Sequence, residues 1–246
     1  GIFIKSMKNW WSGLGVNVIL NEPMKKHTSF RIGGPARFFA LPKDSDELKI
    51  LLKIAKRYSI PVYIIGGGSN ILVSDSGIRG MVIRLKSSFF NKISGHGVYL
   101  EAGSGVPLAR LMRFAQAYHL FGLEFLAGIP GTLGGALVMN AGIAERSIGD
   151  CVENVTVMDY NGRVRTLKRS GIGFAYRTSR LQGKYIVLGA CLKLGLGNHK
   201  ESEKKVALLL KKRKTSQDYR WPSAGCVFKN PRRFSAGELI DRCGLK

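Results

Sequence analysis

Three consecutive glycines, Gly66, Gly67 and Gly68, are followed by Ser69 and Asn70 and bracketed by Ile65 and Ile71. Glycines in a row remove every Cβ from a turn, permit positive φ and let backbone N–H groups come close to a partner. Successive amides arranged as a concave nest bind anions such as a diphosphate. A single run of this kind reads first as an ordinary tight turn. A second run, Gly128, Ile129, Pro130, Gly131, Thr132, Leu133, Gly134 and Gly135, changes the balance. Two glycine nests in one chain imply one extended, phosphate-bearing ligand held between them. The stretch from Ala136 to Gly142, ending in Asn140, Ala141 and Gly142, is small and apolar enough to pack on a flat ligand. Neither the spacing G-x-G-x-x-G nor a P-loop Gly-Lys-Ser/Thr is present, which disfavours a Rossmann or P-loop site.

The elements around these runs read as α/β. Val62–Ile65 is an apolar, β-prone run that delivers the first nest from a strand end, the usual position of a ligand loop in such folds. Before it, the N-cap-rich stretch Asp44–Glu47 precedes a helix whose apolar stripe is Leu48, Leu51, Leu52, Ile54 and Ala55, stopped by Ile60 and Pro61. Upstream, residues 1–22 read as a helical or irregular lead-in. Thr28–Ile32 alternates like a strand, and Ala36–Leu41 forms a second strand after Gly33, Gly34 and Pro35. Further strands are expected at Gly80–Leu85, Val98–Ala102, Val152–Tyr160, Arg163–Leu167 and Tyr185–Leu194, with Asn161-Gly162 as a hairpin turn. Val106 and Pro107 open a helix bearing Leu108, Leu111, Met112, Ala115 and Tyr118. Asn198–Lys214 is a charged helix with Val206, Leu209 and Leu210 on one face. Trp221–Pro231 reads as a turn into a short strand, and Ser235–Arg242 as a final helix.

The 246 residues are 45% hydrophobic with 31 glycines, as expected of a folded α/β chain and not a disordered one. No apolar run approaches the roughly 20 residues of a membrane helix, and no secretion signal is legible. Cys151, Cys191, Cys226 and Cys243 form no CxxC pair, and His27, His96, His119 and His199 are scattered, so no metal site is expected. Cytoplasm is the expected compartment and no membrane partner is expected. The formal charge of +23 favours anionic partners. It is spread along the chain without a lysine block or interleaved aromatics, so nucleic-acid binding is only the weak alternative to a generally basic, solvated surface.

Taken together, Thr28–Ala36, Ile65–Leu72, Gly128–Gly135 with Asn140–Gly142, Tyr176–Ser179 and Ala224–Pro231 resemble the UDP-N-acetylenolpyruvoylglucosamine reductase (MurB) family, in family order from about Asn21 to the last residue. The resemblance implies an α+β architecture: the FAD-binding fold of the vanillyl-alcohol-oxidase/p-cresol-methylhydroxylase type in two subdomains (1–86 and 87–195), plus a substrate-binding domain (196–246). It implies non-covalent FAD, its diphosphate held by Ile65–Ile71 and by Gly128–Thr132, Gly134 and Gly135, with Asn140–Gly142 beside it. NADPH is the implied reductant, and the implied reaction takes UDP-N-acetylglucosamine enolpyruvate to UDP-N-acetylmuramate for peptidoglycan.

In that reaction a hydride reaches the enolpyruvyl β-carbon, and the resulting C2 carbanion requires charge stabilisation and a proton. Arg177 matches the family's charge-offsetting arginine; by itself it is a surface or ion-pair arginine. Cys226 occupies the proton-donor position, where many relatives have serine. A thiol is a stronger acid than a hydroxyl and can protonate a carbanion directly, whereas a lone cysteine is otherwise an inert core residue. Tyr176, Lys229 and Asn230 match substrate-side positions. The family's catalytic glutamate has no counterpart in this chain, which stops just after a helix, so a C-terminal portion is expected to be missing. The alternative is a catalytically inactive FAD-binding remnant. Asn140 is not followed by the usual Tyr-Gly after Asn-Ala-Gly, and Gln217-Asp218 stands for the usual Gln-Pro.

Overall fold

A computed structural model describes residues 15–218, 220–231 and 233–245. Two sheets carry the described chain. The first has the order β1-β2-β4-β3, built from β1 (Asn17–Pro23), β2 (Pro35–Leu41), β3 (Val62–Ile65) and β4 (Ile78–Arg84). β1 runs antiparallel to β2, while β2 and β3 both lie parallel to β4. The parallel register requires a crossover, supplied by α1 (Ser45–Arg57). Asp44 caps that helix by accepting from the N–H groups of Asp46 and Glu47, and Leu48, Leu51, Leu52 and Ala55 are its buried stripe.

The second sheet is antiparallel, with order β5-β6-β10-β8-β9. Its strands are β5 (Ile93–His96), β6 (Tyr99–Gly103), β8 (Val152–Asp159), β9 (Val164–Lys168) and β10 (Tyr185–Lys193). Against it pack α2 (Leu108–Ala117) and α3 (Leu133–Val138), and the largest apolar core lies between these layers. Met158 and Ile186 of the second sheet are buried in the core under the first, so the two sheets share apolar surface. Two-residue strands β7 (Leu120–Phe121) and β11 (Gly195–Leu196) pair with each other, and the remaining helices are α4 (Arg169–Ile172), α5 (His199–Ser216) and α6 (Ala236–Arg242).

α5 is joined to this body unusually. Its one buried residue is Ser202, whose hydroxyl donates to Glu124 Oε1 (2.9 Å) and accepts from Gln116 Nε2 (3.2 Å). Val206 and Leu209 are half-buried, and Leu210 of the expected apolar face is exposed.

Three expectations are corrected. The part of the lead-in that is described, Asn17–Pro23, is strand β1, formed by pairing with β2 although its own burial is slight; residues 1–14 lie outside the described residues. Thr28–Ile32 is a turn and not a strand. Thr28 Oγ1 donates to the Ile32 carbonyl (2.8 Å), the Arg31 N–H donates to Thr28 O (3.1 Å), and Arg31 has φ +58°. Local side-chain hydrogen bonding thus outcompetes the alternating pattern. Trp221–Pro231 forms no strand among its described residues: Val227 is 87% and Phe228 62% exposed, and no neighbouring strand satisfies the backbone there. The polar β5, with Ser94, Gly95 and His96, carried no strand signal in the sequence and exists because β6 pairs with it.

Candidate active site

The first nest, Gly66–Asn70, leaves the end of β3, which lies beside the end of β4 through the pair Ile65 and Arg84. The second, Gly128–Gly135, runs into α3. They meet backbone to backbone. A Cβ on Gly67 would stand 2.9 Å from Gly131 Cα, and a Cβ on Gly66 would fall on Thr132 Oγ1. Ser69 Oγ donates to the Pro130 carbonyl (3.1 Å), tying one loop to the other. Gly68, Gly128 and Gly131 adopt φ of +68°, +73° and +124°, values open to glycine at little cost. Gly135 is exposed, and a Cβ there would meet only Thr132 Oγ1, at 3.8 Å.

The first nest rests on a brace that sequence reasoning did not select. The His27 carbonyl occupies the place of a Cβ on Gly68. The His27 ring stacks on Phe39 (4.1 Å between centroids), with Nε2 3.0 Å from Glu22 Oε1 and Nδ1 3.2 Å from Arg84 Nη1. The hydrogen bond to His27, aided by Lys26, holds the Glu22 carboxyl below its ordinary range. Burial lowers the pKa of Arg84.

These residues fit an anionic cofactor. Among the described residues, two buried side-chain hydroxyls have no hydrogen-bond partner, Thr132 Oγ1 and Ser104 Oγ. Both belong to the second nest: the Ser104 carbonyl accepts from Gly134 N–H (2.9 Å), and its Cβ is 3.0 Å from where a Gly134 Cβ would stand. A buried hydroxyl left unpaired costs about 1–3 kcal/mol. Thr132 as a whole is only half-buried. Bare backbone on both loops and a spare hydroxyl between them suit a diphosphate. A cavity of about 640 Å³ opens instead behind Gly128 and is lined by Leu210, Lys214, Gln217, Asp218 and Arg220. That cavity offers no comparable run of free backbone.

Tyr176 and Arg177 form the tip of a tight turn. Ala175 and Thr178 exchange backbone hydrogen bonds of 3.0 and 3.3 Å across it. Arg177 sits at the second central position with φ +56°, where turns favour glycine or asparagine. Both residues are exposed, and the guanidinium lies 5.8 Å from the Tyr176 ring centroid. Ser179 is buried and donates to the Val138 carbonyl at the end of α3 (2.8 Å). Asn140 spends both ends of its amide on protein, donating to Ala175 O and accepting from Gly149 N–H, each 3.0 Å. Ala141 is buried, and Gly142 is buried against Ser147.

The segment before Cys226 reaches the first nest. The Ser223 carbonyl accepts from Ser29 Oγ (2.6 Å), Ser29 N–H donates to Gly68 O (3.0 Å), and a Cβ on Gly225 would lie 4.0 Å from Ser69 O. Cys226 follows, exposed; Lys229 and Asn230 are exposed as well, and Asn230 Oδ1 accepts from Ala236 N–H (3.0 Å) at the start of α6. Among the described residues no hydrogen bond or ion pair joins Arg177 to Cys226 or Lys229. The structure therefore brings Cys226's segment to the nests, and Arg177 to the end of α3, as separate attachments.

Comparison with known proteins gives the family. The FAD binding domain family matches residues 36–168, and the C-terminal domain family of UDP-N-acetylenolpyruvoylglucosamine reductase matches residues 217–246. The UDP-N-acetylenolpyruvoylglucosamine reductase of Caldanaerobacter subterraneus is 45% identical over 228 residues, covering 92% of this chain and 75% of the relative. The chain belongs to the UDP-N-acetylenolpyruvoylglucosamine reductase family. The crystal structure of the reductase (MurB) from Thermus caldophilus matches with a TM-score of 0.80 at 36% identity, covering 94% of this chain and 80% of that one. A berberine-bridge-enzyme-like protein of Physcomitrella patens, 20% identical with a TM-score of 0.60 over 75% of this chain and 43% of its own, shares the fold. That fold is the α+β FAD-binding fold of the vanillyl-alcohol-oxidase type, in a chain spanning about three quarters of the length of its reductase relatives. Among the described residues no helix is long and apolar enough to cross a membrane.

Proposed function

We propose that this chain reduces the enolpyruvyl double bond of UDP-N-acetylglucosamine enolpyruvate, giving UDP-N-acetylmuramate for peptidoglycan, with NADPH as reductant. The observation that carries this reading is the closure of the two glycine nests on each other, Gly67 against Gly131, with the Ser223–Gly225 segment fastened alongside. FAD, when bound, supplies a two-electron carrier between NADPH and the substrate. In this reading Ile65–Ile71 and Gly128–Gly135 cradle the diphosphate. We take 1–86 and 87–195 as the two parts that hold the cofactor and 196–246 as the substrate side.

Hydride addition to the β-carbon leaves negative charge on C2, shared with the substrate carboxylate as an enolate. Arg177, exposed at the tip of its turn, offsets that charge with a guanidinium that can hold both carboxylate oxygens. Cys226 Sγ–H gives its proton to C2 and is reprotonated from solvent, to which it is open. Tyr176 and Lys229 bind the substrate's polar parts, and Asn230 contributes the amide N–H₂ left over from its bond to Ala236. All four cysteines are free, in keeping with a cytoplasmic compartment.

The test is anaerobic single-turnover reoxidation of the reduced, FAD-loaded protein by UDP-N-acetylglucosamine enolpyruvate. Wild type should reoxidise rapidly, Cys226→Ser should stay within about tenfold, and Cys226→Ala should slow by about 10²-fold or more. Flavin uptake without any substrate-dependent reoxidation would make the chain a flavin-binding protein and not a reductase.

A further inference from the structure

Asn140 lies between the cofactor nest and the Tyr176–Arg177 turn, and its side chain serves the turn. The amide is held at both ends: Nδ2 donates to Ala175 O and Oδ1 accepts from Gly149 N–H, each at 3.0 Å. Its own backbone is in the left-handed region, φ +43°, immediately after α3. Two residues earlier in the chain, the Val138 carbonyl accepts from buried Ser179 Oγ (2.8 Å). The turn is therefore fastened on both sides of its tip, at Ala175 and at Ser179, to the C-terminal end of one short helix. The N-terminal end of that helix is the Thr132–Gly135 part of the second nest.

The turn needs such fastening. Arg177 holds φ +56°, a conformation that costs a non-glycine residue on the order of 1–3 kcal/mol and persists only where its surroundings enforce it. The two backbone hydrogen bonds between Ala175 and Thr178 close the turn but leave it free to tilt as a unit. The bonds from Asn140 and Ser179 fix its direction. We propose that Asn140 and Ser179 are positioning residues that hold Arg177 in place for the substrate, acting through the turn and not on the cofactor. This rests on the reading of Arg177 given above, and α3 is the single rigid body that sets cofactor and arginine at a fixed separation.

The test uses the full chain with Asn140→Gly, which keeps the positive φ at no steric cost, and separately Ser179→Ala. Limited trypsinolysis reads the turn directly, because Arg177 is an exposed cleavage site. Cleavage between Arg177 and Thr178 should accelerate about tenfold in Asn140→Gly and several-fold in Ser179→Ala, while in Ser179→Ala the Kd for FAD stays within twofold. In FAD-loaded Ser179→Ala, reduction by NADPH should be unchanged and reoxidation by the enolpyruvyl substrate slowed by about 10- to 100-fold. Unchanged cleavage at Arg177, or a loss of FAD affinity in Ser179→Ala as large as the change in cleavage, overturns the proposal. A wild-type protein that binds FAD but does not turn over leaves the cleavage and affinity measurements to decide the positioning role, and counts against the proposed reaction alone.

Discussion

Gly131 Cα stands 2.9 Å from the point that any Cβ at position 67 would occupy, so each nest is shaped by the absence of a side chain on the other. No flexible side-chain end is there to move aside; the obstacle is backbone. Gly67→Ala should force the loops apart and lower FAD affinity by about 10²-fold or more while leaving the sheets folded. Titration of the apoprotein with FAD, followed by flavin fluorescence, checks this. Affinity within threefold of wild type would mean that the two loops do not share one ligand.

Arg177 occupies a backbone conformation that suits glycine. Replacing it with glycine relieves the turn, so Arg177→Gly should melt at the same temperature as the wild type or a few degrees higher. The same substitution should slow substrate-dependent flavin reoxidation by about 10²-fold or more, as expected for loss of a charge-stabilising group. Thermal melts beside single-turnover kinetics separate the two effects. A variant that is both less stable and equally active would contradict the turn geometry and the role together.

Asp150 closes a capping box with Ser147, accepting from its N–H (2.8 Å) and its hydroxyl (3.1 Å). Those hydrogen bonds, the backbone one foremost, hold its pKa below the ordinary 3.8. The charged form is the one favoured by folding, so the stabilisation is complete above the ordinary value and fades as pH falls through the lower folded value. Asp150 is half exposed, which limits the effect to about 1 kcal/mol. Urea unfolding of Asp150→Ala should show that deficit at neutral pH and none once the wild-type carboxyl is protonated. A deficit independent of pH would assign the loss to packing instead.

The thiols should fall into two classes. Cys226 and Cys243 are exposed, Cys151 is buried and Cys191 partly so. Burial raises the pKa of Cys151, opposed by nearby Arg146, and raises that of Cys191 with help from Glu101 and Glu153. A colorimetric thiol titration of the native protein near pH 8 should therefore find two prompt thiols and two that react only on unfolding. Prompt reaction of Cys151, identified by mass spectrometry, would contradict its place in the core.

Much of the site was legible because glycine advertises itself. Two glycine runs announce backbone approach whatever surrounds them, and Asp44 before a leucine stripe announces a helix start in the same local way. What escaped the sequence depends on partners. β5 is a strand because β6 lies beside it, β1 because β2 does, and Thr28–Ile32 is a turn because one threonine hydroxyl reaches the Ile32 carbonyl. The hydrogen bonds of Asn140 were hidden for the same reason. They run to Ala175 and Gly149, which only the folded chain brings near.

The attachment of α5 through Ser202, Glu124 and Gln116 has a calorimetric meaning. Lifting the helix away would exchange a few hydrogen bonds for bonds to water and uncover only the half-buried Val206 and Leu209 and the contacts of Leu210 and Arg213 at Gly128, so its departure would carry only a small heat-capacity change. The heat absorbed on warming would come from the two sheets and the leucine-rich layers between them. A scanning calorimeter would thus be nearly blind to whether α5 is seated. Hydrogen exchange at its backbone amides would register that difference directly.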